Sequence, residues 1–243
     1  MREEQSPVGF ESILALFVLS AIWTIALLLS KSPLAIPADD LYTESQTPVL
    51  IIDPGHGGLD GGASTADGRP ESAYNLQIGL RLRDLSSFLG IQTVMTREGE
   101  ELDYPPELQS IAEKKRWDTR CRAEKINAIQ NGYLLSIHQN YYPSQKPHGS
   151  QVLYAQTPNS RLWAERTQAL FTTYLDTENQ RLAVSAGQDI YLLSHVQCPA
   201  ILVECGFLSN PREAARLGEH SYQLKLAVLM AESFLKITEE NRI

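Results

Sequence analysis

Short runs of apolar residues alternate along the chain with segments in which apolar residues recur every three or four positions. Residues 49–52 form an apolar run that predicts a buried strand, ended by Asp53-Pro54-Gly55. Apolar residues at helical spacing predict a helix over residues 71–89. Further strands are predicted at 91–96, 133–137, 150–155, 188–193 and 200–203, with helices at about 116–131, about 159–177 and the end of the chain. This alternation predicts an α/β fold: a single domain with a mostly parallel, twisted sheet flanked by helices.

The N-terminal part has a different pattern, because Ile13–Leu29 is a run of 17 uncharged, mostly apolar residues. This is at the short end of the roughly 17–25 residues that cross a bilayer as a helix, so we predict a signal anchor or transmembrane helix over residues 13–30. A cleaved signal peptide is the alternative, although Ile36-Pro37-Ala38 is a weak cleavage site. The remaining predicted boundaries are an N-terminal flank at 1–12, a polar linker at 31–47, the folded domain at 48–238 and a tail at 239–243.

Charge and cysteine content limit the classes of function. There are 21 Lys and Arg residues against 29 Asp and Glu residues, which give a formal net charge of −8 without a basic run. Nucleic-acid binding is therefore not expected, since it needs concentrated positive charge. The three cysteines are too few for a disulfide framework and form no Cys-x-x-Cys pair, so we expect three buried free thiols. Cys205 is an alternative nucleophile, with a buried thiol as the simpler interpretation.

Polar residues follow three of the predicted strands. His56 comes after the first strand in a Gly-rich loop, His138 follows the third, and Glu204 follows the last. If these strands are parallel, their C-terminal ends share one edge of the sheet, where open α/β folds place binding crevices. Two His and one or two carboxylates at such an edge are typical of a catalytic zinc site with an open position for water. Glu71 is the second candidate carboxylate, and spacing alone leaves open whether Glu71 or Glu204 binds metal.

Other polar residues have two interpretations each. Asp53 and Asn140 are candidates for orienting the histidines, with a role in a structural turn as the alternative. Arg97 and Arg122 are candidates for binding substrate carboxylates, with an ion pair or a helix-end role as the alternative. For any one His or Glu, a purely structural role also remains open.

Several motifs occur in order between residues 53 and 210. They are Asp53-Pro-Gly-His-Gly-Gly-x-Asp60-x-Gly-Ala63, Glu71, Thr96-Arg97, Arg122-x4-Asn127, Ser136-Ile-His138-x-Asn140 and Val203-Glu204-x-Gly-Phe-Leu-Ser-Asn210. The series resembles the zinc-dependent N-acetylmuramoyl-L-alanine amidases of the Amidase_3 family, and the resemblance covers essentially all of residues 48–238. It implies that His56, Glu71 and His138 bind one Zn²⁺ per chain and that Glu204 is the catalytic carboxylate. It also implies hydrolysis of the amide between N-acetylmuramic acid and L-alanine in peptidoglycan.

Within this family, the pattern is similar to the sporulation amidases. The similar features are the short N-terminal anchor, an extended segment at about 101–119 and the stretch Pro143–Lys146. The resemblance implies that stem peptides are trimmed so that muramic-δ-lactam can form in the spore cortex. It further implies a membrane-anchored protein with an extracytoplasmic catalytic domain, located in the forespore envelope if the cortex is its substrate. Control by an activating protein partner is a further hypothesis, with timed expression as its alternative. A vegetative wall amidase and a catalytically silent peptidoglycan-binding module are the alternatives.

Overall fold

A computed structural model describes residues 47–240, which are built around a six-stranded sheet. The strands are β1 (Val49–Pro54), β2 (Thr93–Met95), β3 (Gly132–Asn140), β4 (Gln151–Tyr154), β5 (Val184–Ser185) and β6 (Ala200–Phe207). The helices are α1 (Glu71–Phe88), α2 (Ile111–Asn127), α3 (Ser160–Tyr174), α4 (Tyr191–His195), α5 (Pro211–Gly218) and α6 (His220–Glu240).

The strand order across the sheet is β2-β1-β3-β6-β4-β5. The four strands β2, β1, β3 and β6 run parallel, and β4 pairs antiparallel with β6. The short β5 pairs parallel with β4. The prediction of an α/β domain with a mostly parallel sheet flanked by helices is therefore confirmed. Because β1, β3 and β6 are parallel neighbours, their C-terminal ends lie at one edge of the sheet.

Helices cover both faces of the sheet, which explains why its central strands are apolar at consecutive positions. In β1, Leu50 and Ile52 belong to one hydrophobic cluster and Ile51, which points the other way, belongs to a second cluster. The first cluster contains residues of α1, α3, α5 and α6, whereas the second contains residues of α2 and α4. All three β1 residues have no exposed surface. The sheet is thus rigidly packed beneath the edge where its polar residues lie.

Two predicted elements differ from the structure. The strand predicted at 188–193 is wrong, because residues 191–195 form the short helix α4. A single helical turn places the adjacent residues Leu192 and Leu193 in one hydrophobic cluster with α2, whereas a strand would point them to opposite faces. The helix predicted at about 116–131 begins earlier, at Ile111. A capping box explains this start, since the Ser110 hydroxyl accepts from the Glu113 amide and the Glu113 carboxylate accepts from the Ser110 amide.

The predictions for residues 1–12, 13–30 and 31–46, and for the end of the tail at 241–243, lie outside the described residues. Between residues 47 and 240, none of the helices combines the length and the apolar character that crossing a membrane requires.

Candidate metal centre

Four elements bring the predicted site residues together. His56 lies in the loop after β1, His138 lies in β3, and Glu204 lies directly beside His138 on the neighbouring strand β6. Glu71 is the first residue of α1, which follows the Gly-rich loop and returns over the sheet edge. The structure therefore places all four predicted residues around one point, although they lie up to 148 positions apart in the sequence.

Two histidines and one carboxylate form a tight cluster. The His56 Nε2 atom lies 3.3 Å from Glu71 Oε2, and the His138 Nδ1 atom lies 2.9 Å from Glu71 Oε1. One ligand atom from each of the three residues can be chosen so that all lie within 4.8 Å of one another. The two imidazole rings meet edge to face, with their centroids 4.9 Å apart. This set of nitrogen and oxygen donors has the size of a metal-binding cluster.

Burial and hydrogen bonding shift the ionisation of the cluster. Burial alone would raise the pKa of Glu71, but the hydrogen bonds and charges of His138 and His56 hold it well below its ordinary value. Burial acts to lower the pKa of His56, whereas its hydrogen bonds to Asp60 and Glu71 raise that pKa to about 9. The surroundings of His56 therefore favour a positive charge between two carboxylates, and a bound cation would satisfy the same preference.

Glu71 is held by groups on three sides. The residue is 3 % exposed, and Oε1 accepts hydrogen bonds from the Gln139 amide at 3.0 Å and from Asn75 Nδ2 at 3.3 Å. Its Oε2 atom accepts from the Ala63 amide at 3.1 Å. These donors orient both carboxylate oxygens toward the two histidines.

His56 is oriented by a carboxylate that sequence reasoning did not assign to this role. The Asp60 Oδ2 atom lies 2.8 Å from His56 Nδ1 and 3.1 Å from Lys115 Nζ. A carboxylate on one ring nitrogen leaves the other nitrogen, Nε2, facing the cluster. Asp60 lies four residues after His56 within the glycine-rich motif, and this spacing was the available signal. Asp53, which had been a candidate for this role, instead binds Arg122, Thr96 and Ser136.

Gly55 allows His138 to approach the first loop. A Cβ atom added at Gly55 would lie 2.1 Å from the His138 Nε2 atom. Only a glycine therefore fits between β1 and the imidazole ring at this distance.

Glu204 differs from Glu71 in its surroundings. Within residues 47–240, its Oε2 atom is buried without a hydrogen-bond partner. Burial raises the pKa of Glu204 to about 7, and the negative charge of Glu71 contributes in the same direction. A carboxyl group with a pKa near neutrality can both accept and donate a proton during a reaction.

The cluster opens into a cleft of about 320 Å³. Lys115 and Thr119 of α2 line one part of it, and residues 189–192, where α4 begins, line another. His56, His138 and Glu204 all contribute to its surface. A substrate in this cleft can therefore reach the three residues together.

The remaining candidates have structural surroundings. The three cysteines are free thiols, but only Cys205 is buried and the other two, Cys121 and Cys198, are half-buried, so the prediction of three buried thiols is wrong for these two. Burial raises the pKa of the Cys205 thiol far above neutrality, so the thiolate needed for nucleophilic attack is not formed. Arg122 pairs with Asp53 at 2.9 Å and with Asp118 at 2.8 Å, in agreement with the ion-pair alternative. Arg97 is 5 % exposed and donates to backbone carbonyls.

Comparisons with known proteins place the chain in a family. The profile of the Amidase_3 family, described as N-acetylmuramoyl-L-alanine amidase, matches residues 50–236. The germination-specific N-acetylmuramoyl-L-alanine amidase of Bacillus subtilis is 34% identical over 193 residues, which are 79% of this chain and 80% of that protein. The amidase LytC of the same organism is 30% identical over 181 residues, which are 73% of this chain and 33% of LytC.

A solved structure shows a similar fold. The CwlD amidase of Clostridioides difficile, determined in complex with the GerS lipoprotein, superimposes with a TM-score of 0.76 at 32% sequence identity. The match covers 79% of this chain and 99% of that one.

Proposed function

Because the chain belongs to the Amidase_3 family of N-acetylmuramoyl-L-alanine amidases, we propose that its activity depends on one Zn²⁺ bound by His56, Glu71 and His138. Glu204 is the catalytic carboxylate in this proposal. The reaction is hydrolysis of the amide between N-acetylmuramic acid and L-alanine in peptidoglycan. The observation that carries the proposal is the Oε2 atom of Glu204, which lies beside a His–Glu–His cluster and is buried without a hydrogen-bond partner among the described residues.

The donor set fits zinc. Two imidazoles and one carboxylate are a usual ligand set of catalytic zinc, whereas Mg²⁺ and Ca²⁺ prefer oxygen ligands throughout. Asp60 behind His56 supplies the outer carboxylate that often accompanies a zinc-bound histidine. When bound, Zn²⁺ supplies Lewis acidity that polarises a carbonyl group and makes a water molecule more acidic.

In this proposal, Glu204 carries out both proton transfers of amide hydrolysis. Glu204 accepts a proton from the attacking water as its oxygen bonds to the carbonyl carbon, and then donates that proton to the alanine nitrogen as the C–N bond breaks. The pKa of about 7 suits both steps. Glu71 cannot take this role equally well, because hydrogen bonds from both histidines occupy its oxygens and keep its pKa low.

Two substitutions test the assignment of the carboxylates. Glu71→Ala should lose zinc, whereas Glu204→Gln should retain one zinc per chain and lose activity. Glu165→Gln, on the exposed surface of α3, is the matched control and should behave as the wild type. Zinc retained by Glu71→Ala and lost by Glu204→Gln would reverse the two roles.

We also propose that the substrate is spore-cortex peptidoglycan. The similarity to the germination-specific amidase supports this, while the similarity to LytC keeps a vegetative wall role as the second candidate. Spores of a strain that lacks this chain should contain no muramic-δ-lactam. Normal muramic-δ-lactam together with chained vegetative cells would instead support the second candidate.

We further propose where the catalytic domain lies and that a protein partner activates it. Peptidoglycan lies outside the cytoplasm, so the catalytic domain is extracytoplasmic, with residues 13–30 as its membrane anchor. An activating protein partner is supported by the complex formed by the similar CwlD amidase. Full zinc occupancy and full activity of the purified chain alone would contradict a need for such a partner.

A further inference from the structure

Two buried arginines bind the backbone of the loop that carries His56. Arg97 donates from Nε to the Pro54 carbonyl at 2.9 Å and from Nη2 to the Gly55 carbonyl at 3.1 Å. Arg122 donates from Nη1 to the Pro54 carbonyl at 2.9 Å and from Nη2 to the His56 carbonyl at 2.7 Å. Three consecutive carbonyls are therefore bound by two guanidinium groups, which we call the arginine clamp.

The backbone that the clamp binds has an unfavourable conformation. His56 has a φ of 60°, in the left-handed region that residues with a Cβ atom disfavour. Such a conformation persists where surrounding contacts determine it. The arginine clamp supplies contacts on both sides of the His56 Cα atom, since it binds the carbonyls of Gly55 and His56. It thereby fixes the direction in which the imidazole leaves the chain.

Burying the two charged groups of the arginine clamp costs free energy of folding. Arg97 and Arg122 are only 5 % and 7 % exposed, and Arg97 lies 3.9 Å from its carboxylate neighbour, Glu100. Burying a charge as weakly paired as that of Arg97 costs stability. Arg122 is paired with Asp53 and Asp118, yet apolar side chains of similar volume often stabilise a fold as well as a buried ion pair does. Arg97 also packs so closely on Gly57 that a Cβ atom there would lie 2.9 Å from its Nε atom. Stability alone therefore does not explain two arginines at these positions, whereas their hydrogen bonds to the loop explain them by fixing its conformation.

The clamp is connected to the second histidine. The Asp53 carboxylate accepts hydrogen bonds from Arg122 Nη1 at 2.9 Å, Thr96 Oγ1 at 2.6 Å and Ser136 Oγ at 2.6 Å. Ser136 lies two residues before His138 on β3, and Thr96 directly precedes Arg97. Asp53 thus joins the segments that carry both histidines and one arginine of the clamp.

We propose that Arg97 and Arg122 are positioning residues that hold His56 in its metal-binding geometry before the metal binds. This inference rests on the zinc site proposed above. Each planar guanidinium binds two carbonyls of the loop at once, which a lysine ammonium, a single point charge, cannot reproduce. Lysine at either position keeps the positive charge but cannot bind both carbonyls. We therefore expect it to leave His56 less well oriented.

The first test measures zinc affinity of the full-length chain by competition with a chelator. Arg97→Lys and Arg122→Lys should each bind zinc about 10–100-fold more weakly than the wild type. Arg161→Lys, an exposed α3 residue paired with Glu165, should bind as the wild type does. If the arginines only stabilise the fold, both variants will melt at lower temperature yet bind zinc with wild-type affinity, and that result would overturn the proposal. If Arg122→Lys fails to fold, the zinc affinity of Arg97→Lys alone tests the proposal.

The second test needs no variant. In chelator-treated wild-type protein, the hydrogen-bonded amides of Gly55, Gly57 and Gly58 should resist hydrogen exchange as strongly as in the zinc-loaded protein. Protection that appears only with zinc would show that the metal, and not the clamp, orders the loop. A wild type without zinc affinity would overturn the metal site itself, whereas unchanged affinity in both arginine variants would overturn only the clamp.

Discussion

Replacing Gly55 with alanine should displace His138 while leaving the sheet folded. The added Cβ atom would lie 2.1 Å from Nε2, 2.3 Å from Cε1 and 2.6 Å from Cδ2 of the His138 ring. Favourable contacts between such atoms are about 3.5–4.0 Å long, so the ring must withdraw by roughly 1 Å or more. Metal–ligand distances tolerate errors of only about 0.2 Å. A misplacement of about 1 Å in a functional group can reduce the rate of a catalysed reaction about 100-fold, and we expect a loss of the same order in metal binding. We therefore expect zinc affinity to fall by about 100-fold, which corresponds to about 2.7 kcal/mol.

Chelator competition and thermal unfolding of the metal-free protein together check this expectation. Gly187→Ala is the matched control, because the nearest atom that its added Cβ would meet in the described part of the chain is the Asp189 amide nitrogen, 4.0 Å away. It should bind zinc as the wild type does. A folded Gly55→Ala variant with wild-type zinc affinity would refute the placement of His138 as a ligand beside β1.

Three further perturbations have expected outcomes of different kinds. Asp60→Asn should weaken zinc binding about 10–100-fold, measured by chelator competition, because His56 loses its orienting carboxylate. Ser110→Ala should reduce the free energy of unfolding by about 1 kcal/mol without changing zinc affinity, because it removes only the α2 cap. Glu204 has its pKa raised from 4.5 to about 7, so it favours the folded state below pH 4.5, and this contribution is lost as the pH rises through 7. In urea unfolding without zinc, the wild type should therefore lose about 2–3 kcal/mol more between pH 5 and pH 8 than Glu204→Gln does. Equal pH dependence of the two proteins would contradict the burial of this carboxyl group.

The main strands and the position of the site were predictable from local pattern. The cores of β1 and β6 are continuous apolar runs, and that of β3 is interrupted only by Ser136, because both faces of the sheet are covered. Each run is followed by a polar residue. Parallel pairing then places those residues at one edge, which is a general property of the fold class. The structure brings His56, Glu71, His138 and Glu204 together at that edge.

The parts that could not be predicted depend on contacts distant in sequence. The apolar pair in α4 has no periodicity of its own, and its contacts are with residues of α2 that lie about 70 positions earlier in the chain. Asp60 and Asp53 are both carboxylates near His56 in sequence, and the turn of the loop decides which one reaches the imidazole. The left-handed conformation of His56 itself carries no sequence signal, since the residue that adopts it is not a glycine.

The most direct test of the account is to digest purified peptidoglycan with the full-length chain and identify the products by mass spectrometry. We expect free stem peptides that begin with L-alanine. These products should disappear after chelation, return when Zn²⁺ is added, and be absent with Glu204→Gln. Release of the same peptides by chelated protein or by Glu204→Gln would contradict the proposed zinc site and its catalytic carboxylate.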